Sequence, residues 1–201
     1  MTAEKARLAL FDLDHTLLPL DSDYAWGVFT TDIGWTDPHG FRQRNDDFFA
    51  HYQAGTLDIH DYTRFATEAV RLRGPQQAAE AHARFMHEVI RPVISPQAIE
   101  LVRHHQDRGE QVVIVTATNE FVTRPIADAF GVQELIAVEL ARDADGWITG
   151  EISGVPSFRE GKVSRVQRWL SDRGLDWDRA DVTFYSDSTN DLPLLERAGK
   201  G

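Results

Sequence analysis

The chain contains no cysteine, which excludes disulfide bonds, thiolate metal sites and cysteine nucleophiles. No apolar run approaches the ~20 residues that a membrane-spanning helix needs, and aspartates interrupt the first apolar run, unlike a secretory signal. Basic residues are few, because 21 Lys and Arg stand against 32 Asp and Glu, for a formal net charge of −11. Such a charge gives no general attraction to nucleic acids or anionic membranes. We therefore expect a cytoplasmic protein that binds neither.

Short apolar runs rich in β-branched or aromatic residues predict buried strands at residues 8–13, 112–116 and 182–185. Helical patterns lie between and after these runs, at residues 96–108, 122–130, 161–172 and 192–197. Apolar strands that alternate with helices are typical of a parallel sheet covered on both faces. A further strand is predicted at 135–138, followed by a β-hairpin with its turn around 144–146. The sequence therefore predicts an α/β, Rossmann-like fold.

The segment between residues 20 and 94 differs, because it has helical periodicity and no pattern of a central strand. Amphipathic helices are predicted at residues 41–52, 60–72 and 76–90, with a break near Gly74. We therefore predict a core domain formed by residues 1–19 and 95–201, with a helical cap domain of residues 20–94 inserted after the first strand.

Polar clusters follow the three main predicted strands, outside whose carboxyl ends ligands of open parallel sheets bind. The clusters include four acids, namely Asp12, Asp14, Asp187 and Asp191. Acids brought together in one crevice repel each other unless a cation lies among them. The available ligands are oxygen atoms, with no cysteine and no histidine pair at ligand spacing, so Mg²⁺ is the ion that fits best.

These residues also resemble a known family. The run from Asp12 to Thr16, DLDHT, matches the Asp-x-Asp-x-Thr signature of haloacid dehalogenase-like (HAD) phosphatases. Thr116, Lys162 and the run DSTND at residues 187–191 follow in the order of that family's other motifs. The helical insertion resembles the cap of the branch that contains phosphoserine phosphatase, subfamily IB. The resemblance covers nearly the whole chain.

The resemblance implies a Mg²⁺-dependent phosphomonoesterase that works through an aspartyl-phosphate. Asp12 would be the nucleophile, and an ionised aspartate needs no base to activate it. Asp14 would protonate the leaving alkoxide and then deprotonate the attacking water. The ion would be held by the Asp12 and Asp187 carboxylates and the Asp14 carbonyl, with Asp191 in support.

Phosphate and substrate binding is implied for a second set of residues. Thr116 would donate its hydroxyl to a phosphate oxygen, and Lys162 would supply the positive charge that the chain otherwise lacks. The full set is Thr116, Ala117, Thr118, Lys162, Asn190 and Asp21. The substrate would be a small-molecule phosphate ester, and the protein a monomer or a homodimer.

Asp21 is the residue with the most direct bearing on substrate choice. It lies nine residues after the nucleophile, where phosphoserine phosphatases hold the substrate amine. An equally good interpretation is that Asp21 or Ser22 caps a helix. Asp23, Asp46 and Asp47 would add negative potential, which suits an amino-bearing substrate such as phosphoserine or histidinol phosphate. Phosphoserine also needs its carboxylate held, and the candidate arginines are Arg42, Arg44 and Arg64.

Two other functions use similar residues. A receiver-like signalling module also has a phosphorylated aspartate, Mg²⁺, a hydroxyl residue and a lysine on a parallel sheet, but Asp14 and the long insertion oppose it. A phosphotransferase of the same family would pass the phosphoryl group to an acceptor other than water. The family also continues with another strand and helix after the fourth motif, so we expect one sheet edge to be exposed or covered by another chain.

Other histidines and aromatic residues have no functional pattern. The histidines without ligand spacing are His82, His87, His104 and His105. The aromatic residues that we predict to form the core of the cap, rather than a platform for stacking bases, are Trp26, Trp35, Phe48 and Phe49.

Overall fold

A four-stranded parallel sheet organises the protein, whose computed structural model describes residues 5–201. The strands of this range are β1 (Ala6–Phe11), β2 (Gln111–Asn119), β3 (Glu134–Val138), β4 (Leu140–Arg142), β5 (Ile148–Ile152) and β6 (Ala180–Tyr185). The sheet has the order β3-β2-β1-β6, and β4 and β5 pair as an antiparallel hairpin. The predicted α/β fold, its strands and its hairpin are confirmed.

The register of β1 brings three polar segments to one edge of the sheet. Phe11, the last residue of β1, lies opposite Ile114 on β2 and Tyr185 on β6. The Asp12 N–H donates to the Tyr185 carbonyl oxygen at 2.9 Å, so the pairing continues one residue past the strand. Because the three strands are parallel, the residues that follow them meet at the same edge.

The helices of the described range are α1 (Ser22–Asp32), α2 (Pro38–Gln53), α3 (Ile59–Phe85), α4 (Pro96–Asp107), α5 (Glu120–Ala129), α6 (Glu160–Ser171) and α7 (Leu192–Arg197). The patterns that predict α2 and α4 to α7 are confirmed. The last two predicted helices of the insertion join in α3, whose backbone leaves the helical region at Gly74 with φ 75 and ψ 172. Among residues 5–201 no helix is both long and apolar enough to cross a membrane.

Helix α1 enters the sequence-based prediction only through the possible cap at Asp21 or Ser22, without bounds. It carries Gly27, Thr30 and Thr31, all buried, and therefore lacks a clean polar face. A Cβ on residue 27 would lie 2.7 Å from Nδ2 of Asn45 on α2, so glycine is needed where the two helices approach. Helix α1 is therefore stabilised by packing against other parts of the fold, which a local sequence pattern does not reveal.

The core lies on both faces of the sheet. On β1, Phe11 faces one hydrophobic cluster while Leu8 and Leu10 face the other, which is the alternation of a strand. Trp26 on α1 packs with ring centroids 5.1 Å from Phe85 on α3 and 5.7 Å from Phe121 on α5. Helices α1 and α3 therefore lie beside the sheet. The division into a core and a cap domain at residues 20 and 94 stays a prediction.

The outer edge of β6 carries a short continuation of the sheet. The Phe184 N–H donates to the Lys200 carbonyl oxygen at 3.0 Å, and the Lys200 N–H donates to the Val182 carbonyl oxygen at 3.2 Å. The sheet edge that we expected to be exposed or covered by another chain is therefore paired with Lys200 between Val182 and Phe184.

Candidate active site

Asp12 and Asp14 lie where the chain turns after β1. Residues Leu13–Leu17 form a short helical turn in which Asp14 keeps an extended backbone, with φ −74 and ψ 131, while His15 has φ 57. Both carboxylates line one cavity beneath α1, α2 and α3. The turn, rather than a continued strand, therefore brings the two acids into the same space.

Lys162 is a buried cation held between two carboxylates. Its Nζ lies 2.8 Å from Oδ1 of Asp12 and 2.7 Å from the Asp191 carboxylate, which also accepts from the Ser186 hydroxyl at 2.8 Å. Burial alone would lower the pKa of Lys162, but the carboxylates of Asp12 and Asp191 raise it above its ordinary value. Lys162 therefore stays charged and fixes the orientation of Asp12.

The start of α6 places this lysine. A Cβ on residue 161 would collide with the carbonyl oxygen of Pro156, so Gly161 permits an approach that no other residue allows. The neighbouring Ser157 is fully buried and donates its hydroxyl to the Thr116 carbonyl oxygen at 2.5 Å. One segment thus supports both Lys162 and the end of β2 that carries Thr116. Sequence analysis missed Ser157, because a lone serine has no distinguishing spacing.

The last residues of β2, where its register with β3 shifts, supply hydroxyl groups to the site. The Thr118 N–H donates to the Thr116 hydroxyl oxygen at 3.1 Å, which leaves the hydroxyl hydrogen of Thr116 available to a ligand. The Thr118 hydroxyl donates to Oδ2 of Asp14 at 2.8 Å, and the Ser22 N–H donates to Oδ1 at 2.8 Å. Asp14 is therefore held at both oxygens.

Asp12 and Asp187 face each other across a single hydroxyl group. The Thr16 hydroxyl lies 3.5 Å from Oδ2 of Asp12 and 3.2 Å from Oδ1 of Asp187. Among residues 5–201 no three Asp, Glu, His or Cys side chains are arranged to hold a metal ion. The two carboxylates that approach the Thr16 hydroxyl are a donor set that fits Mg²⁺, an ion that takes few protein ligands and keeps several waters.

The cavity extends from these acids into the helices. Four aspartates and several aromatic residues contribute to its walls, and no lysine or arginine of the described chain does. The lining residues are Asp12, Asp14, Asp21, Asp23, Tyr24, Asn45, Phe48, Phe49, Tyr52, Leu57, Ile59, Tyr62, Thr116, Ala117 and Thr118. The prediction that Phe48 and Phe49 belong to the core of the cap is wrong in this respect, because both are half-buried at the cavity wall.

Burial changes the acidity of the cavity carboxyls. It raises the pKa of Asp12 to about 7, against the opposing effect of the Lys162 ammonium. It raises the pKa of Asp14 to about 6, with the Asp21 carboxylate adding to the rise. It raises the pKa of Asp23 to about 8, and Asp23 accepts a hydrogen bond from Nδ2 of Asn119 at 3.2 Å. The site can therefore store protons close to neutral pH.

Asp21 takes the role of a helix cap. Its Oδ1 accepts from the Tyr24 N–H at 2.8 Å, at the start of α1, and its carboxylate also lines the cavity. The capping interpretation is confirmed, and burial at the cavity wall raises the pKa of this carboxyl. Asp23, two residues further along, is the more deeply buried acid of the two, with 4% of its surface exposed.

Other predicted residues lie outside the cavity. Asn190 donates from Nδ2 to the Tyr52 carbonyl oxygen at 3.3 Å, so its side chain contacts the helical segment. Arg42 pairs with Asp32 at 3.1 Å, Arg64 pairs with Asp61 at 2.6 Å, and Arg44 stacks over Phe65, all on the outer surface. None of the three arginines is a wall residue of the cavity.

Comparisons with known proteins identify the family of the chain. A family model described as haloacid dehalogenase-like hydrolase matches residues 9–196. A histidinol-phosphatase from Neisseria meningitidis serogroup C is 40% identical over 189 residues, which is 94% of this chain and 85% of that protein. A protein of unknown function from Bordetella pertussis Tohama I superposes with a TM-score of 0.89 at 50% identity, over 96% of this chain and 86% of that one.

A substrate-bound phosphoserine phosphatase complex superposes with a TM-score of 0.66 at 17% identity, over 99% of this chain and 85% of that one. At this identity the likeness concerns the fold. The fold, the match to the family model and the relatives lead to one assignment: the chain belongs to the haloacid dehalogenase-like hydrolase family, where it groups with phosphatases.

Proposed function

We propose that the protein is a Mg²⁺-dependent phosphomonoesterase that forms an aspartyl-phosphate on Asp12. The observation that carries the proposal is the buried contact of Lys162 with Asp12 at 2.8 Å, beside Asp14 and Thr116 in one cavity. The Asp12 carboxylate attacks phosphorus and the bond to the leaving oxygen breaks. Lys162 and the Thr116 hydroxyl bind the phosphate oxygens, together with the Ala117 N–H.

Asp14 carries the proton in both steps. It gives a proton to the leaving alkoxide and then removes one from the water that attacks the phosphorus of the intermediate. Its pKa, raised to about 6 by burial, allows both protonation states near neutral pH. The bonds from Ser22 and Thr118 fix the position of the carboxyl group while it exchanges the proton.

The carboxylates of Asp12 and Asp187 and the carbonyl oxygen of Asp14 would hold Mg²⁺. When bound, the ion neutralises charge on the phosphate and the nucleophile. Asp191 lies on Lys162 and Ser186, so we assign it to holding the lysine and to indirect support of the ion.

The substrate whose chemistry matches the cavity walls is a phosphate ester with an amine and no carboxylate. The Asp21 carboxylate offers a partner for a cation, while Phe48, Phe49 and Tyr62 offer surfaces for a flat or apolar group. Histidinol phosphate has this chemistry, and the relative named histidinol-phosphatase supports it. The carboxylate of phosphoserine would find no lysine or arginine in the walls that the structure describes.

The test is phosphate release from a panel of metabolites with and without Mg²⁺. The panel contains histidinol phosphate, phosphoserine, phosphocholine and sugar phosphates, and we expect the first to be preferred and a chelator to abolish the rate. Asp12→Asn should lower kcat by at least about 10³-fold. Asp47→Asn, a change at an exposed acid on α2, is the matched control. If Asp12→Asn kept most of its rate, the nucleophile would be misassigned.

The role of Asp21 needs a separate variant. Asp21→Asn keeps a residue that caps helices well and removes its charge. It should raise KM for an amine-bearing ester and leave KM for a neutral aryl phosphate unchanged. An equal change in KM for the two esters would mean that Asp21 acts through the fold and not on the amine.

A further inference from the structure

The cavity above Asp12 and Asp14 is narrow. Its volume is about 30 Å³, which is room for ~2 water molecules and too little for a phosphate ester. A substrate can enter only if the helical segment moves away from the loops that follow the strands. The contacts that join the wall segment, residues 52–57, to those loops therefore decide how readily the cavity opens.

Asn190 and Arg159 contact this wall segment, beside Ser188 and Phe158, which contact the Tyr52 side chain. Asn190 donates from Nδ2 to the Tyr52 carbonyl oxygen at 3.3 Å, and Arg159 donates from Nε to Oδ1 of Asn190 at 3.3 Å. Arg159 also reaches Gly55, since a Cβ added to Gly55 would lie 2.8 Å from its Nη2. The pair thus connects the loop after β6, the start of α6 and the wall of the cavity.

The backbone of Arg159 has an unusual conformation. Its φ of 52 and ψ of −123 lie in a region that residues with a side chain rarely adopt. The residue directly precedes α6, which carries Lys162, and its guanidinium lies 4.9 Å from the centroid of the Phe158 ring. Such a conformation persists where the surrounding contacts hold it. The partners described here are neutral groups, so these contacts can break without separating opposite charges.

We propose that Arg159 is a positioning residue which, with Asn190, latches residues 52–57 over the cavity. Release of this latch admits the substrate and lets the product leave. Arg159 lies outside the set that performs the proposed chemistry, and the proposal rests on the proposed function only for what enters the cavity.

The absence of cysteine allows a direct test, because a single introduced thiol reports local opening. Ile59→Cys places the thiol in the cavity wall. Ala127→Cys places it at a core position that is 0% exposed, where it reacts only on wider unfolding. The rate of reaction with a disulfide reagent is measured for each, with and without Arg159→Met, in the absence of substrate.

Loss of a charged hydrogen bond corresponds to about a tenfold change in an opening equilibrium. Arg159→Met should speed labelling of Ile59→Cys by about this factor and leave Ala127→Cys unchanged. Arg159→Lys keeps a hydrogen-bond donor and should therefore slow the labelling of Ile59→Cys relative to Arg159→Met. The lysine variant also replaces the methionine variant in this comparison if the latter does not fold. Arg168→Met, at an exposed position of the same helix, is the matched control.

Equal labelling of Ile59→Cys with and without Arg159→Met overturns the latch, and so does equal acceleration at both thiol positions. The readout is chemical labelling and not turnover. A protein that fails to release phosphate in the metabolite panel would therefore still give a clear result in this experiment.

Discussion

Replacing Asp23 by asparagine should make folding less sensitive to pH. Asp23 is 4% exposed, and burial raises its pKa from 3.8 to about 8, with the Asp21 and Asp14 carboxylates adding to the rise. Between these two values the folded chain holds a proton on Asp23 that the unfolded chain has released. The stability that this proton confers is complete below the lower pKa and is lost as the pH rises through the higher one.

The size of this pH dependence follows from the one proton that Asp23 holds in the folded chain and has released in the unfolded chain. The free energy of unfolding should fall by about 1.4 kcal/mol per pH unit on account of Asp23, or roughly 3 kcal/mol over two units. Asparagine is neutral throughout, has nearly the same shape and can still accept from Nδ2 of Asn119. The Asp23→Asn variant should therefore lack this slope and be the more stable protein at neutral pH.

The assay is urea unfolding of the metal-free protein at several values between about pH 5 and pH 7.5. The quantity of interest is the difference in unfolding free energy between Asp23→Asn and the unmodified chain, plotted against pH. Asp47→Asn, on the exposed side of α2, should follow the unmodified chain. If the curves of Asp23→Asn and the unmodified chain ran parallel, Asp23 would be ionised in the folded state and the reasoning from burial would be refuted.

Three further outcomes are expected. Lys162→Met should lower kcat by about 10²-fold, as measured by kinetics. It should also lower the free energy of unfolding in urea by about 3–5 kcal/mol, because the buried Asp12 loses its cation. Gly161→Ala should cost about 1–3 kcal/mol through its clash with Pro156, seen as a lower Tm. In the presence of Mg²⁺, which would keep the Asp12 carboxylate ionised, the rate on an alkyl phosphate should fall as the pH rises above about 6, where Asp14 loses its proton. A nitrophenyl phosphate, whose leaving group needs no proton, should show no such fall.

The motif residues could be predicted because their positions depend on local patterns. Asp12 and Asp187 follow apolar strands and Thr116 lies near the carboxyl end of one, and parallel strands end at one edge whatever the rest of the chain does. Lys162 could be predicted from its order among the motifs. Its contacts with two carboxylates needed the structure, because they join residues far apart in the sequence.

The walls of the cavity could not be predicted in the same way. Tyr24, Phe48 and Tyr62 come from three helices, and which of their faces meet depends on how the helices pack. Helix α1 itself has no amphipathic signature, because both of its sides are covered. Asp21 had two interpretations that a sequence alone could not separate, and the structure supports capping while leaving its carboxyl group at the cavity wall.

The lack of basic residues among the cavity walls has a consequence for the end of the proposed reaction. An amine-bearing ester enters with its own positive charge, which offsets the repulsion between its phosphate and the wall acids. Once the alcohol has left with its amine, the remaining inorganic phosphate has no such compensation and is held only by the groups that bind its own oxygens. We therefore expect inorganic phosphate to be a weak inhibitor, bound less tightly than the ester from which it came, so that turnover is not slowed by its accumulation.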